Sequence, residues 1–345
     1  MGLALRQASP SEEESDLIAI LERNLTRVKM RSDFRWRLGN PAGKGWWWVI
    51  YERGHQSVHA MTSVFPRPMY IDRKLRMCGQ VGNFVVDAAY RSLGPAVMLQ
   101  RATFQTVDSG ALSLCYDCPP HDQGMSTFMR LGLVPSCELI RYALVLRGEE
   151  VVQKKLGKSW WTKPLISGVN TFLRTRRASK RFASLEISCH DARFGDEYNH
   201  LDKTVSSTGI VRTSRSAELL NWRYRDRPEC RTDILVARRQ GELIAFLAMS
   251  EYDNNGHRRV SICDLFGHEL EHTGLALLEV AADRCRQSNV VCLEGNCAKE
   301  SIVESIFKAA GFRARERSAH LVAYAQSGLL NANISWPVGQ AEFAA

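Results

Sequence analysis

The run Val85-Val86-Asp87-Ala88-Ala89-Tyr90-Arg91-Ser92-Leu93-Gly94-Pro95-Ala96 carries the most specific chemistry in the sequence. An apolar, strand-like stretch enters a turn and a helix-compatible stretch leaves it. The first N–H groups of a helix have no partner inside it and point outward at the positive end of its dipole. Such a turn suits a phosphate or pyrophosphate. Gly94 lets backbone approach a ligand closely, and Arg91 adds a charge and a fork of donors. Pro95 removes one N–H, at a first-turn position that suits proline. An ordinary strand-to-helix connection is the alternative reading.

Asp117, Cys118 and His121 follow the apolar run Ala111–Tyr116. A carboxylate or imidazole there can take a proton from an ammonium group. The plainer reading is a polar loop built around Pro119-Pro120. Cys115-x-x-Cys118 has the spacing of half a zinc site, but no matching pair follows it. Buried, reduced thiols and no bound metal are expected. Trp46-Trp47-Trp48 can line a sugar or acyl pocket, or pack both faces of a strand; packing is preferred. Asp264, near the end of a strand, could form a site in the second half with His268 and His272; solvated loop residues are the preferred reading.

Arg91-Ser92-Leu93-Gly94-Pro95-Ala96 resembles the acyl-CoA motif of the GCN5-related N-acetyltransferase superfamily, Arg/Gln-x-x-Gly-x-Gly/Ala after the fourth strand. The preceding Val-x-x-x-Tyr-Arg phrase and the later Leu131-Gly132-Leu133 strengthen the resemblance, which extends over most of residues 15–325. It implies a central sheet splayed between its fourth and fifth strands. It also implies a pantetheine arm paired with strand backbone near Phe84, Val85 and Val86, and a pyrophosphate on the N–H groups of residues 91–96. The co-substrate implied is acetyl-CoA or a longer acyl-CoA. In this family the acceptor amine attacks the thioester directly, so the protein supplies orientation, a polarised carbonyl and proton routes. One departure bears on catalysis. The family often places a Tyr, the proton donor to the leaving thiolate, four residues before the Gly of its Leu-Gly-Phe phrase, and Phe128 stands there. The role then passes to a group such as Tyr116, or the thiolate leaves unassisted. Asp117 and His121 remain the candidates for deprotonating the amine.

The elements that must position these residues follow from periodicity. Ser11 is read as the N-cap of a first helix, with Glu12, Glu13 and Glu14 at its positive end and Leu17, Ile18, Leu21 and Leu25 at helical spacing. Strands are expected over Trp46–Tyr51, Val58–Phe65, Leu75–Val86, Ala111–Tyr116 and Glu138–Leu146. Helices are expected over Pro95–Val107 and Met125–Leu131, the second ending at Gly132. The second half repeats the order. Its strands are Ile234–Ala237, Leu243–Met249, Arg259–Phe266, Val290–Glu294 and Ala319–Ala325. Its helices are Thr273–Arg286 and Glu300–Ala310, the latter stopped by Gly311. The phrase ending at Gly132 recurs around Gly311. A repeat of ~150 residues reads as duplicated domains, not as a solenoid.

The expected fold class is therefore α/β (α+β): two tandem modules, each a mixed, mostly antiparallel sheet flanked by helices. The boundaries are residues 1–152 for the acyl-CoA-binding module, 153–182 for a basic linker and 183–345 for a degenerate second module. In that module Glu271-His272-Thr273-Gly274-Leu275-Ala276 replaces the motif's Arg with an acid, which repels a pyrophosphate. Leu220-Asn221-Trp222-Arg223-Tyr224 resembles the start of the second module in bacterial tandem acetyltransferases, which commonly accompany polysaccharide biosynthesis.

The chain has 345 residues with 46 Lys+Arg and 37 Asp+Glu, a net charge of +9. Residues 153–182 hold nine basic and no acidic residues, so this one segment accounts for the whole surplus. A nucleic-acid surface spread over the fold is disfavoured. The segment reads as a solvated linker, or as an amphipathic helix in peripheral contact with an anionic membrane. No apolar run reaches the ~18 residues of a membrane-spanning helix, and the N-terminus lacks the pattern of a secretory signal. The ten Cys are scattered, so a reducing cytoplasm is expected. The reading is an N-acyltransferase acting on an amine or amino-sugar acceptor. Alternatives are a FemABX-like aminoacyl transferase and an inactive binding or scaffold protein of the same fold.

Overall fold

The computed structural model describes residues 2–25, 30–54, 57–91, 93–120, 122–148, 184–205, 210–228, 230–330 and 336. The basic segment 153–182, with both readings made of it, lies outside the described residues, as do Ser92 and His121.

In the first half the order is β1 (Leu3–Gln7), α1 (Glu14–Asn24), α2 (Met30–Leu38), β2 (Trp46–Glu52), β3 (Val58–Ile71) and β4 (Lys74–Val86). Then come α3 (Leu93–Asp108), β5 (Leu114–Asp117), α4 (Asp122–Arg130) and β6 (Cys137–Val145). The second half begins with β7 (Glu186–Cys189), α5 (Asp196–Thr204), β8 (Val211–Thr213) and α6 (Ala217–Tyr224). It continues with β9 (Thr232–Arg239), β10 (Glu242–Asn254), β11 (His257–Gly267), α7 (Leu270–Gln287), β12 (Cys292–Ala298), α8 (Ile302–Ala309) and β13 (Arg313–Ala325).

Strands β1 to β4 form an antiparallel meander, and β5 joins β4 in parallel after the α3 crossover. The second half repeats this plan: β9, β10 and β11 are antiparallel, and β12 joins β11 in parallel after α7. A parallel neighbour needs such a crossover, whereas the tight turn at Asp72-Arg73, both with positive φ, suffices between β3 and β4. The fold is thus the expected mixed, mostly antiparallel sheet flanked by helices.

The halves are woven together. Strand β6 of the first half pairs with β12 of the second, and β13 of the second half pairs with both β6 and β5. Strand β8 extends β3 from the second half. Trp36 and Trp222 stack at 4.4 Å, and each indole N–H donates to the other's carbonyl at 2.7 and 3.0 Å. Met69, Tyr116, Leu139, Ala298 and Leu321 share one buried apolar cluster across the join.

The start of α1 differs from expectation. Its N-cap is Glu13, not Ser11. The Ser9 carbonyl accepts the N–H groups of Glu12 and Glu13 at 3.1 and 2.9 Å, adding a turn before the helix. The Glu13 carboxylate is held by the Ser9 N–H and by Arg6. Leu17, Ile18 and Leu21 are buried as their spacing requires. Trp47 is buried between Phe34 and Phe65, and Trp48 packs in the core on the other face, so this strand packs both ways. Gly132 and Gly311 end their helices with positive φ. Among the described residues no helix is long and apolar enough to cross a membrane.

Candidate active site

Strands β4 and β5 are paired over only two positions, Gly79 with Cys115 and Gln80 with Tyr116. Past Gln80, β4 runs on to Val86 with β3 on one side and no described strand on the other. A β-bulge at Asn83-Phe84 sharpens the divergence. Two β3 residues, Met61 and Ser63, span the register that takes Gly82 to Val85 on β4. Asn83 adopts φ +53°, and its side chain donates to Ser63 Oγ at 3.1 Å. Bulges bend a strand and re-aim its backbone, commonly beside functional sites. Sequence reading missed this one, although Gly82-Asn83 within an apolar run is its signature.

The expected arm residues lie on this edge. Val85 packs into the core on the α1 face, while Phe84 and Val86 are half-buried on the α3 face. The Asp87 N–H bonds His59 O on β3 at 2.8 Å. By strand alternation, Val86 turns its carbonyl to the open edge, where Arg91 Nε reaches it at 3.0 Å.

The turn after β4 is tied to α1 through Asp87. Arg23 grips its carboxylate with two donors at 2.8 Å each, and Asn24 adds a third at 2.7 Å. Burial alone would raise the Asp87 pKa, but these donors outweigh it and hold the carboxyl below its ordinary value. Arg91 Nη2 donates to Asn24 Oδ1 at 3.2 Å, so the same asparagine steadies the guanidinium. His59 stacks on Tyr90 at 4.2 Å. The turn is thus fixed from below while its outer side stays open.

Helix α3 begins at Leu93, two residues before the expected Pro95. Its first turn therefore includes Leu93, Gly94, Pro95 and Ala96. A Cβ added at Gly94 would meet nothing within 4 Å. Gly94 is exposed, so internal packing does not demand glycine there, whereas close approach of a ligand would.

Asp117 ends β5. Its carboxylate accepts the Cys118 N–H at 2.7 Å, yet crowding by the protein pushes its pKa up to about 7. Desolvation outweighs that one hydrogen bond. Tyr116 projects to the opposite face of the strand, where it is 1% exposed beside Trp336. The structure therefore does not bring Tyr116 and Asp117 together. Phe128 is a buried member of the α3-side core. Cys115 packs in that core and Cys118 against the opposite cluster, so the Cys-x-x-Cys pair is divided between two faces. Burial also drives the Cys115 thiol pKa far up.

The second half holds a matching splay, since β11 and β12 pair only from Arg259–Ile262 onto Cys292–Gly295. Its helix start is acidic. Glu269 forms a two-donor pair with Arg239 at 2.9 and 2.8 Å, and Glu271 lies in the first turn of α7. Carboxylates there complement the helix dipole and oppose a second anion. The expectation for Asp264 is corrected: it is 4% exposed, not solvated, because Arg215 binds both its oxygens at 3.1 and 3.2 Å. His268 is tied to Thr204 at 2.9 Å.

No protein-family model matches the chain, and no curated protein matches it in sequence. Solved structures match it in fold. A GCN5-related N-acetyltransferase from Anabaena variabilis superposes with a TM-score of 0.66 at 11% identity, covering 94% of this chain and 73% of that one. Another, from Kribbella flavida, gives 0.57 at 11% identity over 94% and 71%. N-myristoyltransferase from Saccharomyces cerevisiae with bound myristoyl-CoA gives 0.61 at 12% identity over 99% and 83%. At such identities the likeness is one of architecture: the chain has the fold of the GCN5-related N-acetyltransferases.

Proposed function

We propose that the chain is an acyl-CoA-dependent N-acyltransferase. The observation that carries this reading is the splay past Gln80, which opens the β4 edge directly onto the Arg91–Ala96 turn. The residues fit the co-substrate. The edge at Phe84, Val85 and Val86 suits the amides of a pantetheine arm. The α3 N–H groups, the open side of Gly94 and the positive charge of Arg91 suit a pyrophosphate. Bound acyl-CoA supplies an activated thioester.

The amine nitrogen forms a bond to the acyl carbon while the carbon–sulfur bond breaks. The amine gives its proton to the Asp117 carboxylate, and the same carboxyl returns it to the departing thiolate. A carboxyl titrating at about 7 serves both steps near neutrality. This route needs no tyrosine at position 128. The acceptor we favour is an amine on a sugar, as in polysaccharide assembly. The second half then acts as a wall of the acceptor site, since Glu269 and Glu271 disfavour a second pyrophosphate.

Thermal unfolding with and without acetyl-CoA tests the reading. Ligand at 100 times its dissociation constant should stabilise by ~2.7 kcal/mol. A shift that Gly94→Glu removes supports the site. No shift with acetyl-CoA or with longer acyl-CoAs, myristoyl-CoA included, overturns it.

A further inference from the structure

Strand β13, from the second half, lies beside β5 and carries His320 to the end of the first half's splay. Val322 pairs with Asp117, and Val322 and Tyr324 pack on the α3 face together with Cys115. Strand alternation puts Asp117 and His320 on that same face. They are diagonal neighbours across the strand pair, a spacing of about 7–8 Å that leaves room for one small group between the two side chains. The His320 N–H donates to Pro119 O at 3.2 Å, which ties the β5–α4 connection to this position.

The two nitrogens of the His320 ring have different surroundings. Nε2 lies 3.4 Å from Oδ1 of Asp122, the first residue of α4. Nδ1 is buried with no hydrogen-bond partner. A carboxylate beside one ring nitrogen holds the proton there and leaves the other with a bare lone pair. Asp122 thereby makes Nδ1 the basic atom of the ring. Arg317 donates to the same Asp122 oxygen and steadies it. The same face carries Asp117 on β5 and Glu138 on β6, the latter opposite His320 in register. Glu138 has cationic partners of its own, Lys299 at 3.6 Å and Arg317 at 3.8 Å. The dyad runs from inside to outside, since the His320 side chain is 12% exposed and that of Asp122 is 79%.

An amine that arrives as an ammonium ion must lose two protons, one before attack and one as the amide forms. Asp117 handles the second and passes it to the thiolate. We propose that His320 takes the first, as a general base positioned by Asp122. An ammonium N–H bond breaks, its proton moves to Nδ1, and the electron pair left on nitrogen attacks the acyl carbon. The imidazolium then gives its Nε2 proton to Asp122, which releases it to water. This role rests on the acyltransferase reading. The thioester site belongs to the first half and this base to the second, and the weaving of β13 beside β5 brings them together.

The test is acetyl transfer to glucosamine, galactosamine and glycinamide, amines that are largely ammonium ions at pH 6.5 and largely neutral at pH 9. Wild type, His320→Ala and Asp122→Asn are compared at both pH values. With an amine that wild type turns over, His320→Ala should lose at least about tenfold in kcat/KM at pH 6.5. At pH 9, where the amine arrives already neutral, the loss should shrink to about threefold or less. Added imidazole should restore part of the loss at pH 6.5. Asp122→Asn changes an exposed side chain, so it should fold normally and show a smaller loss with the same pH trend. It carries the comparison if His320→Ala does not fold. Acetyl-CoA affinity, read by calorimetric titration, should be unchanged in both variants. A loss equal at the two pH values, or none at pH 6.5, overturns the proposal and leaves the acyltransferase reading. If wild type turns over none of the three amines, the role of His320 falls. A thermal shift with acetyl-CoA then decides whether the acyltransferase reading falls with it.

Discussion

Replacing Asp117 by Asn tests the proton route. The wild-type carboxyl titrates at about 7, because burial raises it further than the Cys118 N–H lowers it. The ionised fraction is then about 9% at pH 6 and about 91% at pH 8. If the carboxylate is the base, kcat should rise about tenfold over that interval. The Asn variant keeps the shape and loses the base, so kcat should fall by about 10²–10⁴ and lose this rise. Stability moves the opposite way with pH. In the unfolded chain the carboxyl titrates near ~3.9, so the folded state holds the proton more tightly. Stability therefore declines as pH rises from ~4 to ~7, by at most roughly 4 kcal/mol, and then levels off. Asp117→Asn should lose that decline. The assay is steady-state thiol release from pH 5.5 to 8.5, with thermal unfolding in the same buffers. A wild-type kcat flat from pH 6 to 8, or an Asn variant retaining most of it, would refute the assignment.

Gly94→Glu should fold almost normally, within about 0.5 kcal/mol of wild type, because its side chain meets open space. It should nonetheless lose acyl-CoA affinity, read by calorimetric titration. Asp202→Ala should cost about 3–5 kcal/mol in denaturant unfolding, since Arg212, bonded to that carboxylate at 2.6 Å, stays buried without it. Trp222→Ala should cost about 3–5 kcal/mol and loosen the halves together, read by hydrogen exchange at Trp36 and its neighbours. Gly267→Ala should destabilise by more than about 2 kcal/mol, for its Cβ would fall 2.4 Å from Ile244 O at φ +154°.

What was legible in the sequence was local. The β4–turn–α3 unit, the αL glycines at 132 and 311, and the repeat of strand and helix order all depend on neighbouring residues. The exchange of β6 and β13 between the halves was not legible. A strand's alternation states which face is apolar, not which distant edge it joins. The same holds for Asp264. Its polarity beside a run of loop-like residues suggested solvent, and only tertiary contact brings Arg215 onto it. Asn83 differs: Gly82-Asn83 inside a strand was a visible signal, passed over because the apolar pattern continues through it.

The central claim is that acyl groups pass from CoA at the β4–α3 turn to an amine. It is tested most directly by incubating the protein with acetyl-CoA and a panel of amines, counting free thiol and N-acyl product together by mass spectrometry. The account predicts equal amounts of both with at least one amine, and neither with Gly94→Glu. Thiol release without acylated amine, or no product with any amine and any acyl-CoA, would contradict it.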